Sequence, residues 1–457
     1  MGGFSNFAIS FSIISILTGV TLFGYGLEMG GPLEMSLGWP LATLFTLTVA
    51  ASMAELCSAY PTAGATYHWA ADLGGRGWGW LVAWLNILGL IAEQAGINYS
   101  CAQFILPFLN ISSTPVHLFG MFAFILLTQG ILNQYGIRLV AILNDLSVTV
   151  HIAGVALVVL ALFFLAPKQP VPFLFQAVNS NGRSFYWWAF VLGLLQAQWT
   201  YTGFDASAHM AEETHDPRRR GPWGIVLSVA VSGVAGYFLV LALTLAIKSI
   251  PGELAAKDAQ GNQISAAIAI LQQGLGAKAG NAMAALISMA MWFCGLACIT
   301  SGSRSLYSLA RDHGTPFSEQ VRWVSPRHGT PAPSIWLIVA ASMAAMLWTK
   351  AVPVVTSLST VALYLAYGIP IALAWRARRA GSDWPSHAVW SLGRFGAPLN
   401  MIAMLFCGFI CVVLIMPPNE LAGETLAGLL LGLGLLYATV VRRKFKGPEW
   451  SRHGSTP

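Results

Sequence analysis

Long apolar stretches alternate with short polar connections along nearly the whole chain. Crossing a bilayer as a helix takes about 20 apolar residues, and twelve stretches reach that length. The predicted spans cover residues 6–28, 37–60, 78–109, 117–135, 138–166, 184–213, 222–249, 279–310, 333–350, 352–375, 396–417 and 421–441. The pattern predicts an all-α polytopic membrane protein with 12 transmembrane helices, and the even number places both termini on one side.

The composition supports a chain that lies in the lipid bilayer. Hydrophobic residues make up 56% of the sequence and charged residues 9%, against about 25% in soluble domains. A soluble fold of this length has too little interior for so much apolar surface. The net charge of +6 is interpreted as the loop bias of a membrane protein, so no nucleic-acid partner is predicted.

The distribution of Lys and Arg predicts the orientation. If both termini are cytoplasmic, only six of the 24 basic residues fall on the outer side. These six are Lys168, Arg183, Lys248, Lys257, Lys278 and Lys350. Because short cytoplasmic loops carry an excess of Lys and Arg, we expect a multi-pass protein of the plasma (inner) membrane with both termini inside. Glu28 and Glu34 flank the outer end of the first span and are expected at the surface.

Two spans carry a Thr-Gly pair near their centre. The first reads "SIISILTGVTLFGYGLEMGGP" (Ser12 to Pro32) and the sixth contains "QWTYTGFDASAH" (Gln198 to His209). Glycine-interrupted spans at matching positions of two halves indicate the binding site of a transporter. The two pairs, Thr18-Gly19 and Thr202-Gly203, lie five spans apart, and an odd number of spans inverts the second half.

A broken helix frees backbone groups that are costly in lipid unless they line a cavity or meet a ligand. The N–H groups at a half-helix start suit a carboxylate, and freed carbonyl groups suit an ammonium group. One site built from both would hold a zwitterion. The alternative is that each pair is only a notch for close helix packing.

Four segments resemble the amino acid–polyamine–organocation transporter superfamily, over essentially the whole chain. They are "SIISILTGV", "MAELCSAYPTAGATYHWA", "YTGFDASAHMAEETHDPRR" and "SGSRSLYSLARDHGTP". The segments "GYGLEMGGP" and "DASAHMAEET" are most similar to the amino acid/choline branch, which includes GABA and choline permeases. The resemblance implies secondary transport of amino acids or related amines by a LeuT-type 5+5 inverted repeat with broken helices 1 and 6. The parts would be residues 1–166, the first repeat; 184–375, the second; 396–441, spans 11 and 12; and 442–457, a cytoplasmic tail.

The predicted substrate site surrounds the two breaks. Its candidate residues are Ser15, Leu17, Thr18, Gly19, Gln198, Trp199, Thr200, Tyr201, Thr202, Gly203 and Asp205. A GABA-like amino acid is the favoured substrate, with choline and polyamines as alternatives. Asp205 is open to two interpretations, a contact to the substrate amine or an acid that matches the helix dipole.

Four further polar residues are candidates for coupling or gating. Glu93 lies midway along the third span and His151 deep in the fifth, whereas Glu55 and Glu212 lie near the cytoplasmic ends of theirs. A histidine titrates in the physiological range, so His151 is the first candidate for proton coupling and Glu93 the second. Sodium is the alternative ion.

The eighth span offers three hydroxyl groups that could bind sodium, those of Thr300, Ser301 and Ser303. Symport and exchange both stay open, and so does a transport-inactive sensor of the same fold.

No enzyme, metal or cofactor is predicted. The sequence contains no HExxH and no GxSxG motif. The pairs Cys294/Cys298 and Cys407/Cys411, each spaced i, i+4, have a spacing that could hold a metal. Cysteines in apolar runs are more often small packing residues, so we interpret all six in that way.

Overall fold

A computed structural model describes residues 1–109, 111–257, 261, 263–348 and 352–448. Regular structure in these ranges is helical, apart from one isolated bridge between Lys257 and Gln263. Lys350 and most of the predicted tail, residues 449–457, lie outside the described residues.

The described chain forms α-helices of very different lengths. They are α1 Gly3–Ile14, α2 Phe23–Leu33, α3 Trp39–Ala59, α4 Thr66–Gly74, α5 Arg76–Ile105, α6 Pro115–Tyr135, α7 Ile137–Leu165, α8 Tyr186–Gly193, α9 Leu195–Thr200, α10 Ala206–His209, α11 Pro217–Leu245, α12 Ile250–Leu254, α13 Ala266–Leu275, α14 Ala277–Arg311, α15 Ser318–Val321, α16 Ala332–Trp348, α17 Val352–Arg379, α18 Gly396–Val413, α19 Glu420–Leu436 and α20 Arg442–Lys444. Short 3₁₀ segments join several of them, and π-helical turns occupy Glu34–Gly38 and Tyr437–Val441.

Nine helical segments of the described chain are long and apolar enough to cross a membrane. The first, Gly3–Ala59, contains two predicted spans, which meet at a kink where Gly31 has a φ of 64°. The predicted sixth span is divided among α8, α9 and α10, and the predicted ninth corresponds to α16, which has 17 residues. The all-helical, polytopic architecture is therefore confirmed.

Both predicted interruptions are present. Helix α1 ends at Ile14, Ser15 adopts a left-handed conformation with a φ of 45°, and a 3₁₀ segment follows over Ile16–Leu22. The second interruption separates α9 from α10, and Gly203 within it has a φ of 71°. The first break thus begins three residues before the predicted Thr18-Gly19 pair, whereas the second contains Thr202-Gly203.

The rigid surroundings of the breaks include a ladder of amides that joins α5, α6 and α14. Gln129 Oε1 accepts hydrogen bonds from Gln94 Nε2 at 2.9 Å and Asn98 Nδ2 at 3.0 Å. Its own amide nitrogen donates to Asn98 Oδ1 at 2.9 Å, and Thr300 Oγ1 donates to Asn133 Oδ1 at 2.7 Å. Because the bilayer core offers no water to these groups, their mutual bonds fix the three helices against one another.

The molecule has two faces, which we call the terminal face and the opposite face. The terminal face carries Met1, which bonds the Glu213 carbonyl, and Phe445, whose carbonyl accepts from Arg76 at 3.2 Å. The opposite face carries the connection 166–185 and the described part of the connection after α11, residues 246–257, 261 and 263–265. Of the six basic residues expected outside, the five that are described lie in loops or helix ends on the opposite face.

The expected surface position of Glu34 is wrong. Its side chain is only 1% exposed and lies in the π-helical turn between α2 and α3. Glycines make room for it, since a Cβ atom on Gly26 would lie 2.9 Å from Oε2 and one on Gly193 would lie 2.9 Å from Cγ.

Candidate functional site

The first break lies against α7 through one hydrogen-bonded contact. Ser15 Oγ is 2.6 Å from Nε2 of His151, and Nδ1 of the same ring is 2.7 Å from the Ser147 carbonyl oxygen. Because a carbonyl oxygen only accepts, Nδ1 carries a proton and Nε2 of the neutral ring accepts from the Ser15 hydroxyl. Ser15 Oγ is also 3.5 Å from the Ala290 carbonyl oxygen of α14. The left-handed turn at Ser15 thus places a titratable ring directly at the break.

The second break approaches the first through glycine. Gln196 Nε2 donates to the Gly19 carbonyl at 2.9 Å. A Cβ atom on Gly19 would lie 2.7 Å from Thr200 Oγ1, so the Thr200 side chain would have to shift to admit any side chain there. There is likewise no room for a side chain at Gly203, because a Cβ atom there would collide with Ile13. The two Thr-Gly pairs let the broken helices come into close contact.

Glu93 on α5 reaches the second break with one oxygen and leaves the other free. Thr202 Oγ1 lies 2.8 Å from Glu93 Oε1 and 2.5 Å from the Trp199 carbonyl oxygen, so its single hydroxyl proton is shared between these two oxygens. Oε2 has no hydrogen-bond partner among the described residues, although the side chain is only 3% exposed. The thiol sulfurs of Cys294 and Cys298 lie within 4.8 Å of a carboxylate oxygen of Glu93 and of each other. A buried carboxylate oxygen without a donor is costly, and this one is therefore a candidate contact for a cationic ligand.

Asp205 is buried just as deeply but is fully engaged. Asn86 Nδ2 donates to Oδ2 at 2.7 Å, and the Tyr367 hydroxyl donates to Oδ1 at 2.8 Å. His209 Nε2 is 3.0 Å from Oδ2, while Nδ1 of that ring is 3.0 Å from the Ala63 carbonyl oxygen. Since Nδ1 must carry a proton toward this carbonyl, a further proton lies between Nε2 and Oδ2. Of the two interpretations left open by the sequence, these contacts favour a structural acid.

Aromatic side chains enclose the second break. The Trp199 indole is 4% exposed, and its nitrogen has no acceptor among the described residues. The Tyr201 hydroxyl is 2.5 Å from Thr43 Oγ1, and its backbone carbonyl accepts from the Tyr364 hydroxyl at 3.1 Å. The Tyr367 hydroxyl accepts from the Gly203 amide at 3.0 Å. The Gly203 N–H is therefore already used by the protein itself.

The remaining substrate-site candidates differ in how they face the breaks. The Leu17 side chain points toward α7, where a Cβ atom on Gly154 would lie 2.9 Å from Leu17 Cδ1, so only its backbone belongs to the break. Thr18 Oγ1 donates to the Ser15 carbonyl at 2.7 Å. The Gln198 side-chain amide is buried, and neither its oxygen nor its nitrogen has a partner among the described residues.

Two of the predicted gating acids lie at the terminal face, away from the breaks. Glu55 forms an ion pair with Arg378 and accepts from the Leu392 amide at 3.0 Å, so it holds the loop between α17 and α18. Glu212 is half-exposed and lies 3.3 Å from Arg311. Their gating roles stay predictions.

The hydroxyl groups considered for sodium lie at a different level of α14. Helix α14 meets Ser15 at Ala290, whereas Thr300 is ten residues further on, almost three turns away. Thr300 donates toward α6, as described above, and Ser303 Oγ donates back to the Thr300 carbonyl at 3.1 Å. Neither of these two hydroxyl groups is directed at the first break, whereas Ser301 Oγ is buried without a hydrogen-bond partner among the described residues.

The two faces of the molecule differ in access. A cavity of about 1000 Å³ opens on the opposite face, and Thr21 and Leu22, at the end of the first break, form part of its lining. On the terminal face α1 and α10 are joined by short bonds, with Ser10 Oγ donating to the Phe204 carbonyl at 2.7 Å and Asn6 Nδ2 to the Ser207 carbonyl at 2.9 Å. The described conformation therefore has a cavity beside the end of the first break on the opposite face, whereas hydrogen bonds join α1 to α10 on the terminal face.

Several site residues gave no signal in the sequence. Asn86, Gln196, Ser147 and Tyr367 touch the candidates, but three of them lie on long unbroken helices with no local irregularity. The spacing of Ser147 and His151, one turn apart on α7, is the one local signal that could have linked any of them to a candidate.

A polytopic helical protein with two interrupted helices in contact, and with unused polar groups buried between them, has the architecture of a membrane transport protein. The chain belongs to the amino acid permease family, because the model of that family ("Amino acid permease") matches residues 1–436. The chain is 34% identical to amino-acid permease BAT1 of Arabidopsis thaliana, over 93% of this chain and 86% of that protein.

Two further relatives show the breadth of the family. A BAT1 homolog of Oryza sativa is 33% identical over 97% of this chain and 91% of its own length. The GABA-specific permease of Saccharomyces cerevisiae is 25% identical over 97% of this chain and 81% of its own length. The predicted membership among amino acid permeases is thereby confirmed.

Proposed function

We propose that the protein is a proton-coupled secondary transporter that carries a GABA-like amino acid across the plasma membrane. The proposal rests on one arrangement: two interrupted helices are in contact beside a buried carboxylate oxygen, Glu93 Oε2. This oxygen has no hydrogen-bond partner among the described residues. The name of the yeast relative, a GABA-specific permease, supports the choice of substrate.

The proposed topology has twelve spans. Division of Gly3–Ala59 at its kink, together with the interrupted segment 184–213 and helix α16, would add three spans to the nine long apolar segments. Residues 1–166 and 184–375 would form the inverted 5+5 repeat, 396–441 the last two spans and 442–457 a tail. The excess of Lys and Arg on the terminal face supports a cytoplasmic position for both termini.

The substrate carboxylate would dock at the first break. The N–H groups at the start of the 3₁₀ segment Ile16–Leu22 lack acceptors within that helix, as at any helix start, and they carry the positive end of its dipole. Gly19 keeps the second broken helix in contact with this dock, because Thr200 Oγ1 takes the space that a side chain would need. The substrate amine would meet Glu93 Oε2 and the carbonyl groups of Gln198 to Thr202 at the second break.

Proton coupling would act through His151 and Ser15. With a neutral ring, the Ser15 hydroxyl donates to His151 Nε2. Once Nε2 is protonated, it would donate to Ser15 Oγ, and the Ser15 hydroxyl would turn to the Ala290 carbonyl at 3.5 Å. Protonation would thus tie the first break to α14.

The alternation between two open states would use the contrast between the two faces. The cavity on the opposite face corresponds to a state that is open to the outside. Opening to the inside would require the α1–α10 bonds and the ion pairs Arg304–Glu213, at 2.7 Å, and Arg311–Glu212 to separate.

Uptake of labelled GABA into proteoliposomes tests the proposal. With sodium absent and an imposed pH gradient, acidic outside, wild-type protein should accumulate GABA above its equilibrium level. Accumulation that needs sodium and ignores the pH gradient would contradict proton coupling. Competition separates the substrates, because unlabelled GABA should block uptake while choline, which has no carboxylate for the first break, should not.

Replacement of the ring tests the coupling group. His151→Ala should abolish proton-driven accumulation while GABA exchange across the same vesicles continues, since the substrate contacts stay in place. His117→Ala, in an exposed segment on the opposite face, serves as the control and should accumulate GABA like the wild type. Proton-driven accumulation by His151→Ala would refute the assignment to this residue.

A further inference from the structure

Three potential metal ligands converge beside the second break. Glu93 comes from α5, and Cys294 and Cys298 come from α14, one helical turn apart. One ligand atom from each, a carboxylate oxygen and two sulfurs, lies within 4.8 Å of the other two. All three side chains are at most 3% exposed. Among the described residues, no other group of three His, Cys, Asp or Glu side chains is as close.

The ligand types suit a thiophilic divalent cation. Zinc-group ions bind thiolate and carboxylate ligands, with Zn–S bonds of about 2.3 Å, so two sulfurs in a tetrahedral site stand about 3.8 Å apart. The present separations exceed that by at most about 1 Å, which side-chain rotation can close. Glu93 Oε2 is buried without a donor, so a cation would remove an existing cost rather than break a bond.

The surrounding helices hold these ligands firmly. Gln94, next to Glu93, belongs to the amide ladder that ties α5 to α6 and α14. Cys294 Sγ is 3.2 Å from the Ile13 carbonyl oxygen, so the cluster also touches the end of α1. A cation bound here would contact both scaffold helices beside the two breaks.

We propose that Glu93, Cys294 and Cys298 form a binding site for a thiophilic divalent cation, such as Cd²⁺ or Zn²⁺, whose occupation blocks transport. The proposed binding rests on the ligand set alone, and it releases the thiol protons of Cys294 and Cys298, because the thiolate is the metal ligand. The block rests on the proposed function, because the cation would take the carboxylate oxygen assigned there to the substrate amine.

The chain contains its own control pair. Cys407 and Cys411 on α18 have the same i, i+4 spacing and are equally buried, but within the described residues they form no three-ligand group with a carboxylate or histidine. A metal site that needs the third ligand should therefore be lost with one pair of cysteines and kept with the other.

Titration of purified protein with Cd²⁺ tests the site, with thiolate-to-cadmium charge-transfer absorption as the readout. Wild-type protein should bind one Cd²⁺ per chain, and Cys407→Ser/Cys411→Ser should bind it equally well. Cys294→Ser/Cys298→Ser should lose the absorption. Glu93→Gln should weaken binding by more than about 10-fold, since loss of even an outer-shell partner costs about that much. Thermal unfolding of each variant confirms that it is folded.

Three results would overturn the site: no Cd²⁺ binding by the wild type, full binding by Cys294→Ser/Cys298→Ser, or equal loss in the control pair. The block is measured separately. Cd²⁺ should inhibit GABA uptake by wild-type protein and by the control variant, but not by Cys298→Ser. Cd²⁺ binding without inhibition would refute the block alone, whereas absence of GABA uptake without any metal would refute the proposed function and leave the binding result standing.

Discussion

Two buried carboxylates beside the same break, Asp205 and Glu93, have opposite surroundings. Asp205 is contacted by Asn86, Tyr367 and His209, which use both of its oxygens. Glu93 has one contact, from Thr202, and its second oxygen has no partner in the described part of the chain. Burial alone therefore does not mark a binding residue. The difference lies in how many hydrogen bonds the protein itself supplies.

The contrast assigns a different role to each acid. A carboxylate whose oxygens are all paired holds structure, because loss of its charge leaves its donors buried and unsatisfied. A carboxylate with a free oxygen keeps a place for a ligand, because the ligand supplies the missing donor. Asp205 thus joins α10 to α5 and α17, whereas Glu93 has one oxygen available to a cationic ligand.

The largest effect is expected from a side chain placed in the contact between the two breaks. Gly19→Leu should abolish GABA uptake, because even its Cβ atom would lie 2.7 Å from Thr200 Oγ1. The measurement is uptake at matched protein levels in the vesicles. Gly408→Leu on α18 is the control, since a Cβ atom there has no atom within 4 Å and uptake should be normal. Normal uptake by Gly19→Leu would show that the breaks are not the site.

A smaller effect should appear at the paired acid. Asp205→Asn keeps the shape but removes the charge that faces His209, which leaves a buried donor poorly matched. Loss of such a partner costs about 1–3 kcal/mol, so thermal unfolding should begin at a lower temperature than in the wild type. An unchanged unfolding temperature would mean that the three contacts contribute little to stability.

The smallest effect is expected at the terminal face. The Arg304–Glu213 pair leaves Glu213 about half exposed, and exposed pairs contribute about 1 kcal/mol or less. Glu213→Gln should therefore change GABA uptake only slightly, with a modest shift toward the state open to the terminal face. Labelling of a cysteine introduced on the α10 side of the closure would measure that shift. A complete loss of uptake would assign this pair a much larger role.

Local sequence signals predicted the position of the breaks but not what surrounds them. Thr202-Gly203 lies inside the observed break, because that signal depends on a single span. The contact of His151 with Ser15 joins two spans and was not indicated by either of them. The partners of Asp205 come from α5 and α17, far away in the sequence, so no pattern within one span indicated that it is saturated. Glu34 was misplaced for the same reason, since the glycines that enclose it come partly from α8.

The sequence also did not indicate the register between helices, that is, which turn of α14 meets the first break. The hydroxyl groups of Thr300 and Ser303 have the right chemistry for sodium, but the contact of α14 with Ser15 falls at Ala290. Which turn of one long helix meets another depends on packing along both, and periodicity within either one does not fix it.

Equilibrium binding of labelled GABA to purified wild type, Glu93→Gln and Asp205→Asn at one pH tests the contrast most directly. Hydrogen bonds to charged groups contribute about 1.5–3 kcal/mol, so Glu93→Gln should weaken GABA binding by about 10- to 100-fold. Folded Asp205→Asn should bind GABA about as tightly as the wild type. The reverse result, with affinity lost in Asp205→Asn and kept in Glu93→Gln, would contradict the assignment of the substrate amine to Glu93.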